Sequence, residues 1–266
     1  MGIALAALLP VFLILYYVYI KDIDPEPKKT VAITFALGAA STIVAIVLEL
    51  VVTYFINMFF IPNTDLYYRV DTFFGVAVVE EMCKWSVIML YIWNHKDFDD
   101  SYDAIVYCVT ASLGFAAFEN ILYVFQHGFT VAIARALTSI PGHAAFAVFM
   151  GYFVAKAKIN CHDNNYKKMG WALFLSVLVP CLVHAEYDYL IFAEKFMMFY
   201  ILIALIDIIA FLMIRHGFKN DAPMNKKALI PPDFKITPPP FQPNLEIENS
   251  IKSENEEVNN NDNLDV

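Results

Sequence analysis

Four short stretches of the chain place ionisable side chains inside otherwise apolar sequence. They are Glu80, Glu81 and Lys84; Glu119 with Asn120; Arg135 and His143; and His184, Glu186 and Asp188. An ionised group in a hydrocarbon-solvated helix is costly unless it is paired or watered, so each of these is a candidate for function. The chemistry this set supports is activation of water. A buried glutamate is a usable general base or acid, and one glutamate with two histidines is a three-ligand set that leaves Zn²⁺ an open position for water. Asn120 and Arg135 can stabilise an oxyanion. Both routes end in hydrolysis of a peptide bond within the membrane. The chain has no G-x-S-x-G elbow and no H-E-x-x-H pair, so a serine nucleophile or an ordinary zincin lacks its sequence signal.

Such side chains need rigid helices to hold them. Glu80 and Lys84 are four apart and stack on one helical face, as do His184 and Asp188, whereas the adjacent Glu80 and Glu81 point about 100° apart. The two glutamates are therefore expected to differ in role, one facing a cavity and the other pairing with Lys84 or orienting a neighbouring helix. Asp188, one turn from His184, can accept from an imidazole N–H and fix its tautomer.

The composition supplies those helices. Of 266 residues, 59% are hydrophobic and 17% charged, and the mean hydropathy is +0.54. A soluble domain has about 45–50% apolar and about 25% charged residues, so the excess here is solvated by a bilayer. Seven apolar runs follow one another, approximately 3–20, 31–59, 72–93, 104–125, 131–155, 169–192 and 196–214, each able to cross about 30 Å of hydrocarbon. The first has no basic residue before it and no small-x-small cleavage site after it, so it reads as a retained span rather than a signal peptide. The expected fold is an all-α polytopic membrane bundle of about seven helices, with residues 1–218 as the membrane domain. Beyond that, 219–266 is rich in proline and then in Asn, Glu and Asp, the composition of a disordered cytoplasmic tail. Counting seven spans, about fourteen Lys and Arg residues fall on one side and only Arg69 and Lys195 on the other, which places the N-terminus outside and the C-terminus in the cytoplasm. With 18 basic against 27 acidic residues, no nucleic-acid partner is expected. The four cysteines show no C-x-x-C spacing and read as small hydrophobes.

Depth brings the polar residues together. At 1.5 Å per residue, Glu80 and Glu81 lie about 12 Å from the outer end of their span, Glu119 about 10 Å, His143 about 18 Å and His184 about 12 Å. Four helices running alternately up and down thus carry them into one slab, in the outer half of the membrane.

Glu80-Glu81-Met-Cys-Lys84, then Phe115-Ala-Ala-Phe-Glu119-Asn120, then Arg135 with His143 eight positions later, then His184-Ala-Glu-Tyr-Asp188 resemble, in order and spacing, the four signatures of the PrsW intramembrane proteases. The resemblance spans roughly residues 72–192. It implies a plasma-membrane protease that makes the first cut in a membrane-anchored substrate such as an anti-sigma factor. It also implies site residues Glu80, Glu81, Lys84, Glu119, Asn120, His143 and His184, supported by Arg135 and Asp188. Glu81, His143 and His184 would then be the ligands of a Zn²⁺ ion if the enzyme is metal-dependent; a metal-free glutamate mechanism is the alternative. The CAAX prenyl proteases are distantly similar, but their glutamate motif continues to an arginine and their second motif ends in histidine, where this chain has Lys84 and Glu119-Asn120.

A transporter or receptor with an intramembrane proton or ion site is the competing class, since such sites use the same residue types. Paired repeats and broken helices in corresponding halves, the transporter signals, are not visible. Glu49, Glu186 and Asp207 read as structural or cavity-facing, and His95, His127, His162 and His216 as exposed residues at span ends. The bilayer and a membrane-anchored protein are the expected partners; the oligomeric state is left open.

Overall fold

The computed structural model describes residues 2–219, and all regular elements among them are helices. They belong to one compact unit, 1–226. The tail expected from 219 onward lies outside the described residues, apart from Lys219 at the end of the last helix. Helix α1 is Gly2–Ile20 and α2 is Lys28–Phe59. Helix α3, residues 65–92, changes pitch along its length. It is α-helical over Asp65–Val70, π-helical over Asp71–Ala77, α-helical over Val78–Val87 and π-helical again over Ile88–Ile92. Then follow α4 (Asp103–His127), α5 (Phe129–Leu137), α6 (Ser139–His162), α7 (Tyr166–Phe192) and α8 (Phe196–Lys219).

Five helical segments are long and apolar enough to cross a membrane: Lys28–Phe59, Asp103–His127, Ile133–His162, Tyr166–Phe192 and Phe196–Gly217; Leu8–Ile20 is a shorter apolar helix. Seven were expected from the sequence. The difference falls on α1, represented only by Leu8–Ile20, and on α3, which carries Arg69, Asp71, Glu80, Glu81 and Lys84 and so is too polar to qualify on composition. The fifth expected run, 131–155, also differs. The backbone leaves helical geometry at Thr138 (φ −127°, ψ −63°), so Arg135 lies on the short α5 and His143 on α6. At its other end α6 continues to His162 and takes in Lys158, which the sequence had placed in a loop. Lys158 is buried and donates to the carbonyl of Trp93, capping the end of α3 with its ammonium over the Trp93 and Phe98 rings.

Burial separates an inner pair of helices from the rest. In their most apolar stretches α4 is 78% and α6, with the end of α5, 72% buried, against 33% for α2, 33% for α7 and 28% for α8. A helix that is apolar all round belongs inside a bundle, and these two carry Glu119, Asn120 and His143. The outer helices turn large apolar side chains such as Phe55, Leu90 and Met197 outward, a surface suited to lipid. Helices α2 and α4 meet backbone to backbone. A Cβ on Gly38 would lie 2.0 Å from the Ala111 carbonyl oxygen, and one on Gly114 would lie 2.1 Å from that of Phe35. Small residues at a crossing permit this approach, and Thr42 adds a hydrogen bond from its hydroxyl to the Phe115 carbonyl at 3.3 Å.

Polar networks close both ends of the bundle. At the end formed by the α1–α2 and α3–α4 loops, the Tyr107 hydroxyl donates to Glu26 Oε2 (2.5 Å) and Thr30 donates to Asp97 (2.8 Å). Asp103 caps its loop by accepting from the N–H groups of Asp99 and Asp100. Burial pushes the Glu26 carboxyl up to about 7. At the other end Tyr189 donates to Asp65 (2.5 Å) and accepts from Arg69 (2.9 Å) and Lys195 (2.5 Å). The hydrogen bonds from Tyr189 and Arg69 hold the Asp65 carboxyl below its ordinary range. Arg69 and Lys195, the two basic residues assigned to the outer face, thus converge on one phenol that ties α3 to α7.

Candidate active site

The two π-helical stretches of α3 bracket its site-bearing turn. Such stretches recur where a helix must re-aim side chains, and here Glu80, Glu81 and Lys84 all point into the bundle, with relative exposures of 5%, 0% and 0%. Helix α7 clamps this turn: Trp85 Nε1 donates to Ser176 Oγ (2.9 Å), and Cys181 Sγ donates to the Ala77 carbonyl (3.6 Å).

Lys84 Nζ lies 2.9 Å from Glu80 Oε2, 2.8 Å from Glu81 Oε1 and 3.1 Å from His143 Nδ1. His143 Nε2 lies 2.9 Å from Glu119 Oε2, and the same oxygen is 2.9 Å from the Arg135 guanidinium. Arg135 Nε also donates to Asn120 Oδ1 (3.1 Å), and its guanidinium lies 3.9 Å from the centre of the Tyr123 ring. Across the cluster, His184 Nδ1 is 2.9 Å from Glu81 Oε1 and His184 Nε2 is 3.3 Å from Asp188 Oδ2. All nine residues singled out in the sequence therefore join one continuous network drawn from α3, α4, α5, α6 and α7. Glu186 is exposed and stands apart from it, and Glu49 and Asp207 are half-buried on α2 and α8.

One expectation needs correction. One glutamate was to face the cavity and the other to pair with Lys84 or orient a neighbouring helix; Lys84 bonds both, and Glu81 also meets His184 of α7. A long side chain reaches partners at i−3 and i−4 alike, so the 100° offset between the glutamates does not separate them.

The sequence reading missed the aromatic packing. Phe146 stacks on His184 (centroids 4.8 Å apart, interplanar angle 24°) and meets His143 edge-on at 6.0 Å; Tyr187 and Phe199 extend this packing to α8. Phe115 lies 4.4 Å under the Lys84 ammonium. Ser112 Oγ donates to the His143 carbonyl at 2.8 Å, joining α4 to α6. Phe146 lies three residues from His143, the spacing of a helical neighbour, and that was the signal available.

The donor set fits a cation. Glu80, Glu81, His143 and His184 are buried, and each offers one ligand atom within 4.8 Å of the others. Glu81 Oε2 is buried without a hydrogen-bond partner. An ammonium has no lone pair, so His143 Nδ1 accepts from Lys84 and its Nε2–H donates to Glu119. His184 also turns Nδ1 inward, where it donates to Glu81 Oε1, with Nε2 toward Asp188. Both imidazoles therefore present the same nitrogen to the cluster and back the other with a carboxylate, the arrangement that orients metal-binding histidines.

The sequence profile of the PrsW family intramembrane metalloproteases matches residues 26–214, a stretch that contains every member of this network. The chain belongs to the PrsW family. Protease PrsW of Oceanobacillus iheyensis is 37% identical over 191 residues, covering 72% of this chain and 83% of that one. Protease PrsW of Bacillus subtilis is 34% identical over 198 residues, covering 74% and 86%. Protease PrsW of Clostridioides difficile is 32% identical over 195 residues, covering 71% and 79%. No solved structure matches the chain. As a member of the PrsW family the protein is an intramembrane protease, embedded in the bilayer by its apolar helices.

Proposed function

We propose that this chain hydrolyses a peptide bond of a membrane-anchored protein, an anti-sigma-factor-like substrate, near the extracytoplasmic side of the plasma membrane. In this reading seven segments span the bilayer with the N-terminus outside, α3 crossing despite its charges because they pair within the bundle. The observation that carries the reading is the convergence of Glu80, Glu81, His143 and His184, with ligand atoms within 4.8 Å of one another and an outer carboxylate behind each imidazole.

Glu81, His143 and His184 would hold Zn²⁺, and when bound it would supply a water of lowered pKa and polarise the scissile carbonyl. The chain's own residues do the rest. Glu80, held by Lys84 at 2.9 Å, takes the proton of the attacking water and returns it to the amine as the C–N bond breaks, while the water oxygen stays on the carbonyl carbon. Glu119 and Asp188 keep the two imidazoles in orientation. Arg135 and Asn120, bonded to each other beside Glu119, stabilise the oxyanion. The contact of Lys84 with both glutamates favours a second reading, in which a glutamate activates water without metal.

The deciding experiment measures zinc content and cleavage of a membrane-anchored substrate together, on purified protein in nanodiscs, for wild type, Glu81→Gln and His184→Ala. Near-stoichiometric zinc, lost with cleavage in both variants, is the expected result. Cleavage by metal-free wild type, still lost in Glu81→Gln, would establish the glutamate route. No cleavage by wild type would refute the protease reading.

A further inference from the structure

The position of Lys84 is unusual for a residue that merely neutralises a glutamate. Its ammonium spends all three N–H donors on Glu80, Glu81 and His143, three of the four candidate metal ligands. It is fully buried over the Phe115 ring, so no water competes for those donors. The His143 lone pair that a metal would need is the one accepting from Lys84. An ammonium cannot keep His143 Nδ1 while a dication takes it, because that nitrogen has a single lone pair; on Glu81 the ion can use Oε2, which has no hydrogen-bond partner.

We infer that Lys84 is a built-in cation that occupies the ligand set in the metal-free protein and competes with the metal, so that metal binding moves its ammonium off His143 and leaves it on the glutamates. This rests on the metal-dependent reading of the site. The charges of the cluster agree with it. The four carboxylates of Glu80, Glu81, Glu119 and Asp188 outnumber the two permanent cations, Lys84 and Arg135, so the set stays net negative with Lys84 in place. The metal-free protein needs Lys84 close to the ligands to limit repulsion among them, and the same positive charge disfavours an incoming metal ion. Lys84 would thus stabilise the empty site at the expense of affinity.

The test is equilibrium zinc binding, by competition with a chromophoric chelator, on the full-length protein in nanodiscs after metal removal. Wild type is compared with Lys84→Met and with Lys84→Gln, which retains an amide N–H for Glu80 and serves if the methionine variant does not fold. Removing the charge is expected to tighten zinc binding at least tenfold, to lower the thermal midpoint of the metal-free protein and to enlarge the rise in midpoint on adding zinc. Zinc binding equal to or weaker than that of wild type in a folded Lys84 variant would overturn the inference while leaving the metalloprotease reading intact. Zinc bound by a Lys84 variant but not by wild type would support the inference and count against a resident metal. Absence of binding in all three proteins would overturn both.

Discussion

The contact between α2 and α4 gives a sharp stability prediction. Adding a methyl group at Gly38 would put carbon 2.0 Å from the Ala111 carbonyl oxygen, where an ordinary contact begins at 3.4 Å. The obstacle is backbone, so no rotamer change relieves it, and the helices must separate by about 1.4 Å. Overpacking of this kind costs about 1–3 kcal/mol, or roughly 2–10 °C in unfolding midpoint for a domain of this size. Glu119 lies five residues beyond Gly114 on the same helix. If α4 takes up half of the separation, it shifts by about 0.7 Å against α6, which it also packs on, and the 2.9 Å contact of His143 with Glu119 is displaced. Misplacement by 1 Å at a reacting centre costs about a hundredfold, so cleavage should fall ten- to a hundredfold. Gly114→Ala meets Phe35 in the same gap at 2.1 Å and should behave alike. Because one separation relieves both clashes, the double variant should cost little more than the worse single one, a departure from additivity expected of neighbours. Gly170→Ala is the control, since a Cβ there meets nothing within 4 Å; it should leave cleavage intact and stabilise α7 by up to about 1 kcal/mol. The assay is thermal unfolding in detergent together with cleavage of a membrane-anchored substrate. Midpoints for Gly38→Ala and Gly114→Ala within 1 °C of wild type, or strictly additive losses, would refute the close-contact argument.

Glu26, pushed up to about 7 by burial from an ordinary 4.5, makes folding pH-dependent. An acid with a raised folded pKa is most compatible with the fold below its unfolded value, so stability should fall as pH rises from about 4.5 to 7; the decline should flatten in Glu26→Gln, as read from unfolding midpoints across that range. Tyr107→Phe removes the donor to Glu26 Oε2 and should cost about 1–3 kcal/mol through an unsatisfied buried acceptor, an effect absent if solvent reaches the carboxylate. Glu119→Gln and Asp188→Asn should each weaken zinc binding about 10–100-fold without removing a ligand; unchanged binding in both would mean that the outer carboxylates do not orient the imidazoles. Trp85→Phe should destabilise by about 1 kcal/mol through loss of the 2.9 Å bond to Ser176, measurable as a lower unfolding midpoint.

The site was legible in the sequence for a physical reason. Ionisable groups within apolar helices are expensive, so few remain without a use, and their depths can be counted at a fixed rise per residue. That arithmetic placed Glu80, Glu81, Glu119, His143 and His184 at one level, and the structure joins them. Local winding was less legible. Nothing in Asp71–Ala77 or Ile88–Ile92 marks a π-helical stretch; the first packs against α2 and α7 and the second against α2 and α4, contacts that no local side-chain preference announces. The break at Thr138 was hidden for a similar reason, since the residues on either side continue the apolar run. Lys158 was misplaced because a basic residue near a span end is ordinarily solvated, whereas here a carbonyl at the end of α3 and two aromatic rings bury it.

The polar network can exist in an apolar bundle because its charged groups pair, within a helix for Glu80 with Lys84 and Asp188 with His184 and across helices for the rest. Glu81 of α3 meets His184 of α7, Lys84 of α3 meets His143 of α6, and His143 meets Glu119 of α4, which in turn holds Arg135 of α5. A buried charge that loses its partner costs several kcal/mol, so each helix is fixed in rotation and depth by the group it contributes. The same contacts that satisfy the charges therefore set the geometry of the ligand atoms, and no separate scaffold is needed to align them. The exception is informative: Glu81 Oε2 is buried without a hydrogen-bond partner, although Glu81 Oε1 accepts from both Lys84 and His184. Asp188 Oδ2 and Arg135 Nη2 also lack a hydrogen bond, but each lies against an opposite charge; an unsatisfied carboxylate oxygen on one of four convergent donors is the feature that bound cation chemistry would relieve.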